Sequence, residues 1–237
     1  MPASVPVPLR RILALGALSA VSACTPPPPA VVAPALDPEQ LALALEDRTS
    51  LDQPTRILFE WQMNEAGVRA RGRGVARIEP PYRARLDLFM GSGETAARAA
   101  LVDGDLRLAP GARRELLPPP DLLWGVLGVF RPEFGIELMG ADRLEGGQHQ
   151  LRYRYADGTE LHFRVDEGRV RTMELRRGGH TVERVELELA EGERFPVEAT
   201  YRNLTDFREL RITRASVDVV EPYPPDIWDP SGIRGGS

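Results

Sequence analysis

The chain has 237 residues, with 30 Lys and Arg against 35 Asp and Glu, for a formal net charge of −5. A mildly acidic chain lacks the basic face that nucleic acid requires, which sets that partner aside. A single cysteine rules out an internal disulfide, and the length suits one domain with one hydrophobic core.

The first residues run Arg10-Arg11, an apolar stretch from Ile12 to Ala23, then Cys24. That is the order of a secretory signal: a positive start, a short apolar middle and small residues at the cut. The stretch is shorter than the roughly 20 residues that cross a bilayer, so no retained transmembrane helix is expected. Val21-Ser22-Ala23-Cys24 resembles the lipobox of bacterial lipoproteins. The resemblance implies cleavage before Cys24, a diacylglycerol on its thiol and an acyl chain on the new amine. No other cofactor is expected. Two or more acyl chains, at about 0.8 kcal/mol per buried methylene, give a stable anchor. A plain secretory peptide with a chance cysteine is the alternative. Thr25 stands where an Asp would mean inner-membrane retention in enterobacterial sorting, so the resemblance implies the periplasmic face of the outer membrane.

Residues 24–38 are rich in Pro and Ala and read as an extended spacer. Pro38-Glu39-Gln40 opens a helical run through Leu41, Leu43 and Leu45 to about Asp47. From Arg56 the period changes to two: Ile57, Phe59, Trp61 and Met63 share one face, with Glu60, Gln62 and Asn64 opposite. Strands follow at 68–78 and 83–90, parted by Pro80-Pro81, then at 95–102 and 106–108. Pro118-Pro119-Pro120 stops the sheet, and the apolar run Asp121–Phe130 reads as a short inserted helix. Alternation returns at 150–155, 160–165, 169–176, 181–189, 196–201 and 209–216, with hairpin signals at Asp157-Gly158 and Glu167-Gly168. The tail, 221–237, is Pro-rich and either wraps the surface or is disordered.

These elements predict a mainly β (α+β) fold: a strongly curved antiparallel half-barrel of about ten strands. An N-terminal helix precedes it, and a short lid helix is inserted midway. The division is 1–23 signal, 24–38 linker, 39–220 β domain and 221–237 tail. All 30 basic residues are arginine, with local density at Arg69, Arg71, Arg73 and Arg77. Their spacing fits one solvated sheet face, or else a surface for an acidic or phosphate-bearing partner.

The order of elements resembles the LolA/LolB lipoprotein-localisation superfamily over roughly residues 41–216. The resemblance is carried by Arg56–Met63, by Gly67–Ile78 with Pro80-Pro81-Tyr82-Arg83, by Leu88-Phe89-Met90-Gly91-Ser92, and by Leu122–Phe130. Uncharacterised outer-membrane lipoproteins on the same scaffold match equally well in detail. The resemblance implies a concave apolar face that takes lipid or lipoprotein acyl chains under a helical lid, and a periplasmic carrier protein as a partner. It also implies an apolar residue presented after the third strand. Phe89 or Met90 could fill that role, or could end in the core.

The residues assigned to a lipid-binding face are Phe59, Trp61, Met63, Leu86, Leu88, Phe89, Met90, Tyr153, Phe163, Met173 and Tyr201, with Leu123 and Trp124 on the lid. Tyr155 and Leu187 fall on the same face. Aromatic and Met side chains are adaptable linings for a greasy ligand, but a solid core would use the same residues. No enzymatic pattern stands out. His149, His162 and His180 are isolated, without the spacing of metal ligands, and His162 alternates with Leu161 and Phe163 as if facing solvent. Gly91-Ser92-Gly93 is no nucleophile elbow, and Glu183, Glu186 and Glu188 read as a solvated face. The expected function is therefore non-enzymatic: acyl-chain binding in lipoprotein localisation. The alternatives are an envelope scaffold that binds proteins with no lipid cavity, or a sensor of mislocalised lipoproteins.

Overall fold

A computed structural model describes residues 29–34 and 37–231. Cys24 and the expected signal lie outside the described residues. The first meander is β2 (Thr55–Glu65), β3 (Val68–Glu79), β4 (Arg83–Met90), β5 (Thr95–Val102) and β6 (Asp105–Leu108). The second is β7 (Glu137–Leu144), β8 (His149–Arg154), β9 (Glu160–Asp166), β10 (Arg169–Arg177), β11 (His180–Glu188), β12 (Glu198–Asn203) and β13 (Arg208–Val219). A short strand β1 (Val31–Pro34) and helix α1 (Pro38–Thr49) precede them, and helix α2 (Pro120–Val126) lies between them.

All pairings are antiparallel, and the meanders join where the last strand of the second meets the first strand of the first. The result is one 13-stranded sheet in the order β1-β7-β8-β9-β10-β11-β12-β13-β2-β3-β4-β5-β6. Its alternation is clearest in β2, where Ile57, Phe59, Trp61 and Met63 are buried and Arg56, Leu58, Glu60 and Gln62 are exposed.

Helix α2 shows that the sheet curves. Trp124 donates from Nε1 to the carbonyl of Asp103 after β5, at 3.0 Å. One residue on, Gly125 lies so close to Met173 of β10 that a Cβ there would overlap its sulfur. In a flat sheet, at about 4.8 Å per strand, β5 and β10 would be about 34 Å apart. The seven-residue helix is only about 10 Å long. Only a sheet wrapped around the helix brings both within its reach. Gly74 serves the same packing, since a side chain there would collide with the Phe59 ring.

The sheet has more strands than alternation predicts. Strand β7 is broken by Gly140 (φ 146°) and a bulge between Leu138 and Gly140, which hides its period. Strand β1 lies inside the segment expected to be a spacer and pairs with β7 at the sheet edge. Helix α2 is shorter than its apolar run. Gly128 (φ 79°) turns the chain, with Gly128 N–H donating to Gly125 C=O and Val129 N–H to Trp124 C=O, the two bonds of a Schellman cap. Helix α1 matches its sequence signals: the Asp37 side chain caps it by accepting from Gln40 N–H at 3.0 Å, and Leu45 is buried. The described part of the tail wraps the surface. Trp228 is buried against the edge of the Tyr223 ring, and Arg85 donates to the Ile227 carbonyl at 2.7 Å.

Candidate functional site

The concave face is closely packed over the first meander, apart from a gap of about 160 Å³ beside Trp124 and the Asp103 turn, and more open over the second. On the filled side Phe59, Trp61, Met63, Leu86 and Leu88 are buried in a continuous core with Leu123 and Trp124 of α2. Trp124 is 1% exposed, and its ring meets Tyr82 edge-on at 6.2 Å. The Trp61 indole donates to the carbonyls of Arg73 and Phe89. The gap left between β2, β12, β13 and the end of α2 is about 20 Å³, room for about one water. Phe89 and Met90 both lie within β4, half-buried, and Met90 packs against the core. Among the described residues the most exposed large apolar side chains are instead Phe134, Phe207 and Val68.

The open side holds a cavity of about 410 Å³, partly open to solvent, between the end of α1, the segment from Gly125 to Phe130, and strands β9 to β11. Phe163 and Met173 line it, as does Leu187; Tyr153 and Tyr201 are buried in the surrounding core. Phe130, Val129, Val170 and Leu189 complete its apolar wall. Phe130 ties the cavity wall to α1. Its ring meets Phe163 at 4.7 Å, and its N–H donates to Thr49 Oγ1 of α1 at 2.9 Å. Periodicity could place Phe163, Met173 and Leu187 on the inner face, but not Arg48, Arg169 and Arg194, which also line this cavity. They come from a helix end, a strand start and a loop. Arg48 donates to the carbonyls of Glu167 and Gly168, and Arg169 to those of Ala190 and Glu193. Burial and the nearby Arg171 and Arg48 charges disfavour the Arg169 cation, and burial disfavours that of Arg194.

Helix α2 also carries a buried acid. Asp121 is 4% exposed and bonds the Tyr155 hydroxyl. Burial pushes its carboxyl up to about 6, and the Tyr155 hydroxyl is raised by burial and by the Asp121 charge. Two expectations of solvent exposure are corrected. His162 is buried, with Nδ1 at 2.7 Å from Gln150 Nε2 and Nε2 at 2.9 Å from Glu160, and burial lowers its basicity. The long neighbours Gln150, Arg152 and Glu174 cover it on the outer face. Glu183 pairs across from Leu175 and Asn203, so it faces inward, where the Tyr201 hydroxyl donates to it at 2.9 Å and burial raises its carboxyl. The arginine run also divides. Arg77 joins Arg85 on the buried Asp87, whereas Arg69, Arg71 and Arg73 are exposed.

Among the described residues no group of three or more His, Cys, Asp and Glu is placed to hold a metal ion. Nor is any described helix long and apolar enough to cross a membrane. No protein-family model and no curated protein sequence matches the chain.

Solved structures do match it. A LolA-superfamily protein from Nitrosomonas europaea superposes with a TM-score of 0.53 at 11% identity, covering 82% of this chain and 98% of that one. The chain has a LolA/LolB-like fold. A domain named for outer-membrane lipoprotein sorting, from Vibrio parahaemolyticus, gives a TM-score of 0.50 at 10% identity, covering 81% and 97%. Neither is named for an enzyme.

Proposed function

We propose that this chain is a lipoprotein, cut before Cys24 and anchored by lipid on that residue to the periplasmic face of the outer membrane. There it binds lipid or lipoprotein acyl chains in lipoprotein localisation. The domain division at residues 23, 38 and 220 belongs to the same proposal, modified by the edge strand β1. The observation that carries the reading is the cavity of about 410 Å³ walled by Phe130, Phe163, Val170, Met173, Leu187 and Leu189. Its size lies toward the lower end of the range for small-molecule sites, roughly 300–1,000 Å³, which suits one acyl chain better than several. The LolA-like fold supports the reading, as does the sorting role named for one of its neighbours.

The test uses the full chain carrying Cys24→Ser, purified without its lipid, and a dansyl-labelled undecanoic acid. Saturable binding with a rise in dansyl fluorescence is expected, as is competition by unlabelled fatty acid. Absence of both binding and copurified lipid sinks the reading. A second reading, an envelope scaffold that binds proteins, is favoured by the burial of Trp61 and Trp124 in the filled side. It predicts a folded protein that takes up no acyl probe.

A further inference from the structure

We infer that the cavity takes an acyl chain bearing an acidic head, and that Arg48, Arg169 and Arg194 hold that head at the rim. The inference rests on the proposed cavity function and specifies its ligand: a single-chain amphiphile ending in a carboxylate or phosphate.

On the outer face of the sheet guanidinium groups meet carboxylates, as Arg202 meets Glu186 at 2.6 Å and Glu209 at 2.7 Å. At the rim they do not. Arg48 and Arg169 donate to backbone carbonyls, which orient a guanidinium without cancelling its charge. Arg194 makes no hydrogen bond or ion pair among the described residues; the Phe195 ring lies 5.8 Å from it, and the Asp52 charge favours its cation without pairing with it. Among the described residues Glu193 is the one acidic residue lining the cavity, and its carboxylate pairs with Arg214 at 2.7 Å. Three guanidinium groups thus line one apolar pocket with no carboxylate in ion-pair contact with them among the described residues; the Glu167 and Glu193 charges favour the Arg169 cation and the Asp52 charge that of Arg194, but only from a distance. Burial already disfavours these two cations. A partly desolvated oxyanion offers such a cluster charge-assisted hydrogen bonds, and guanidinium groups suit carboxylate and phosphate geometry. The apolar wall beside them fixes where the chain of the same molecule lies.

The experiment compares the dansyl-undecanoic acid with its methyl ester, which has the same chain and a neutral head, on the full Cys24→Ser chain. The acid should bind at least about tenfold tighter, the scale of one charge-assisted hydrogen bond. Arg194→Met and Arg48→Met should bring the acid's affinity down toward the ester's, and an unchanged far-UV circular dichroism spectrum reports that the variants fold. The preference should shrink as salt rises. Equal binding of acid and ester overturns the head-group assignment and leaves the cavity reading standing. Binding of neither overturns both. Displacement of the acid by inorganic phosphate at equal concentration assigns the rim to a free anion and overturns the amphiphile.

Discussion

The two halves of the concave face are built from similar residues and end in opposite states. Under the first meander, β2 to β5 turn Phe59, Trp61, Leu86 and Leu88 against Trp124, and the space closes. Under the second, Phe163, Met173 and Leu187 face a cavity of about 410 Å³. The difference lies in what α2 lays over each half. Its buried indole lies over the first, whereas over the second Gly125 packs directly on Met173 and the chain leaving the helix through Gly128 to Phe130 only borders the cavity. Apolar alternation in a strand therefore says which face is inward, and the covering element decides whether that face is core or pocket.

The strongest way to break this comparison is to remove the plug. Trp124→Ala should lower stability by about 3–5 kcal/mol, the usual loss for a buried aromatic, read by chemical or thermal unfolding. A loss below about 1 kcal/mol would mean that the filled half is not filled.

The buried acid of α2 gives the next largest effect. The Asp121 carboxyl rises from 3.8 to about 6, so folding favours its protonated form. That contribution is fully present below pH 4. It is lost as pH rises toward 6, because the unfolded chain ionises first. At about 1.4 kcal/mol per unit, the two-unit shift corresponds to about 3 kcal/mol. Stability of the parent relative to Asp121→Asn should therefore fall between pH 4 and 6 and level off above. Melting curves of both proteins at pH 4, 5, 6 and 7 measure it, and a pH-independent difference would rule out Asp121 as the titrating group.

Overpacking separates the halves directly. Ala76→Leu on the filled side, where Ala76 is 0% exposed, should cost about 1–3 kcal/mol. Val170→Phe projects into the cavity and should cost less than about 1 kcal/mol while abolishing uptake of the acyl probe. Similar costs at both sites would erase the distinction between core and pocket. The smallest effect belongs to the convex surface. Arg56 and Asp218 pair at 3.1 Å with both side chains over 40% exposed, so Arg56→Ala should change stability by less than about 0.5 kcal/mol in a denaturant titration.

Much of this was legible in the chain. Strand β2 shows its buried face in every second residue. Glu167 (φ 50°) and Gly168 (φ 71°) make the tight turn that their residue types announce, because a two-residue hairpin turn of that kind needs positive φ at both positions. Asp37, Pro38 and Glu39 mark where α1 starts. The inner placement of Phe163, Met173 and Leu187 was legible too. Other features were not. Strand β7 hides behind Gly140 and its bulge, and α2 stops early because Gly128 admits a Schellman cap where apolar residues continue. His162 and Glu183 read as solvent-facing from their neighbours in sequence, but the neighbours that cover them lie on other strands.

Local chemistry therefore determined the elements, their inward faces, the tight hairpins and the LolA-like order, because those depend on residues close together in the chain. The tertiary structure alone decided that one half of the concave face closes and the other stays open. It alone brought Arg48, Arg169 and Arg194 to one rim. The reason is the curvature of the sheet: it carries a helix end, a strand start and a loop, far apart in sequence, to a single edge, and no period in the sequence records that distance.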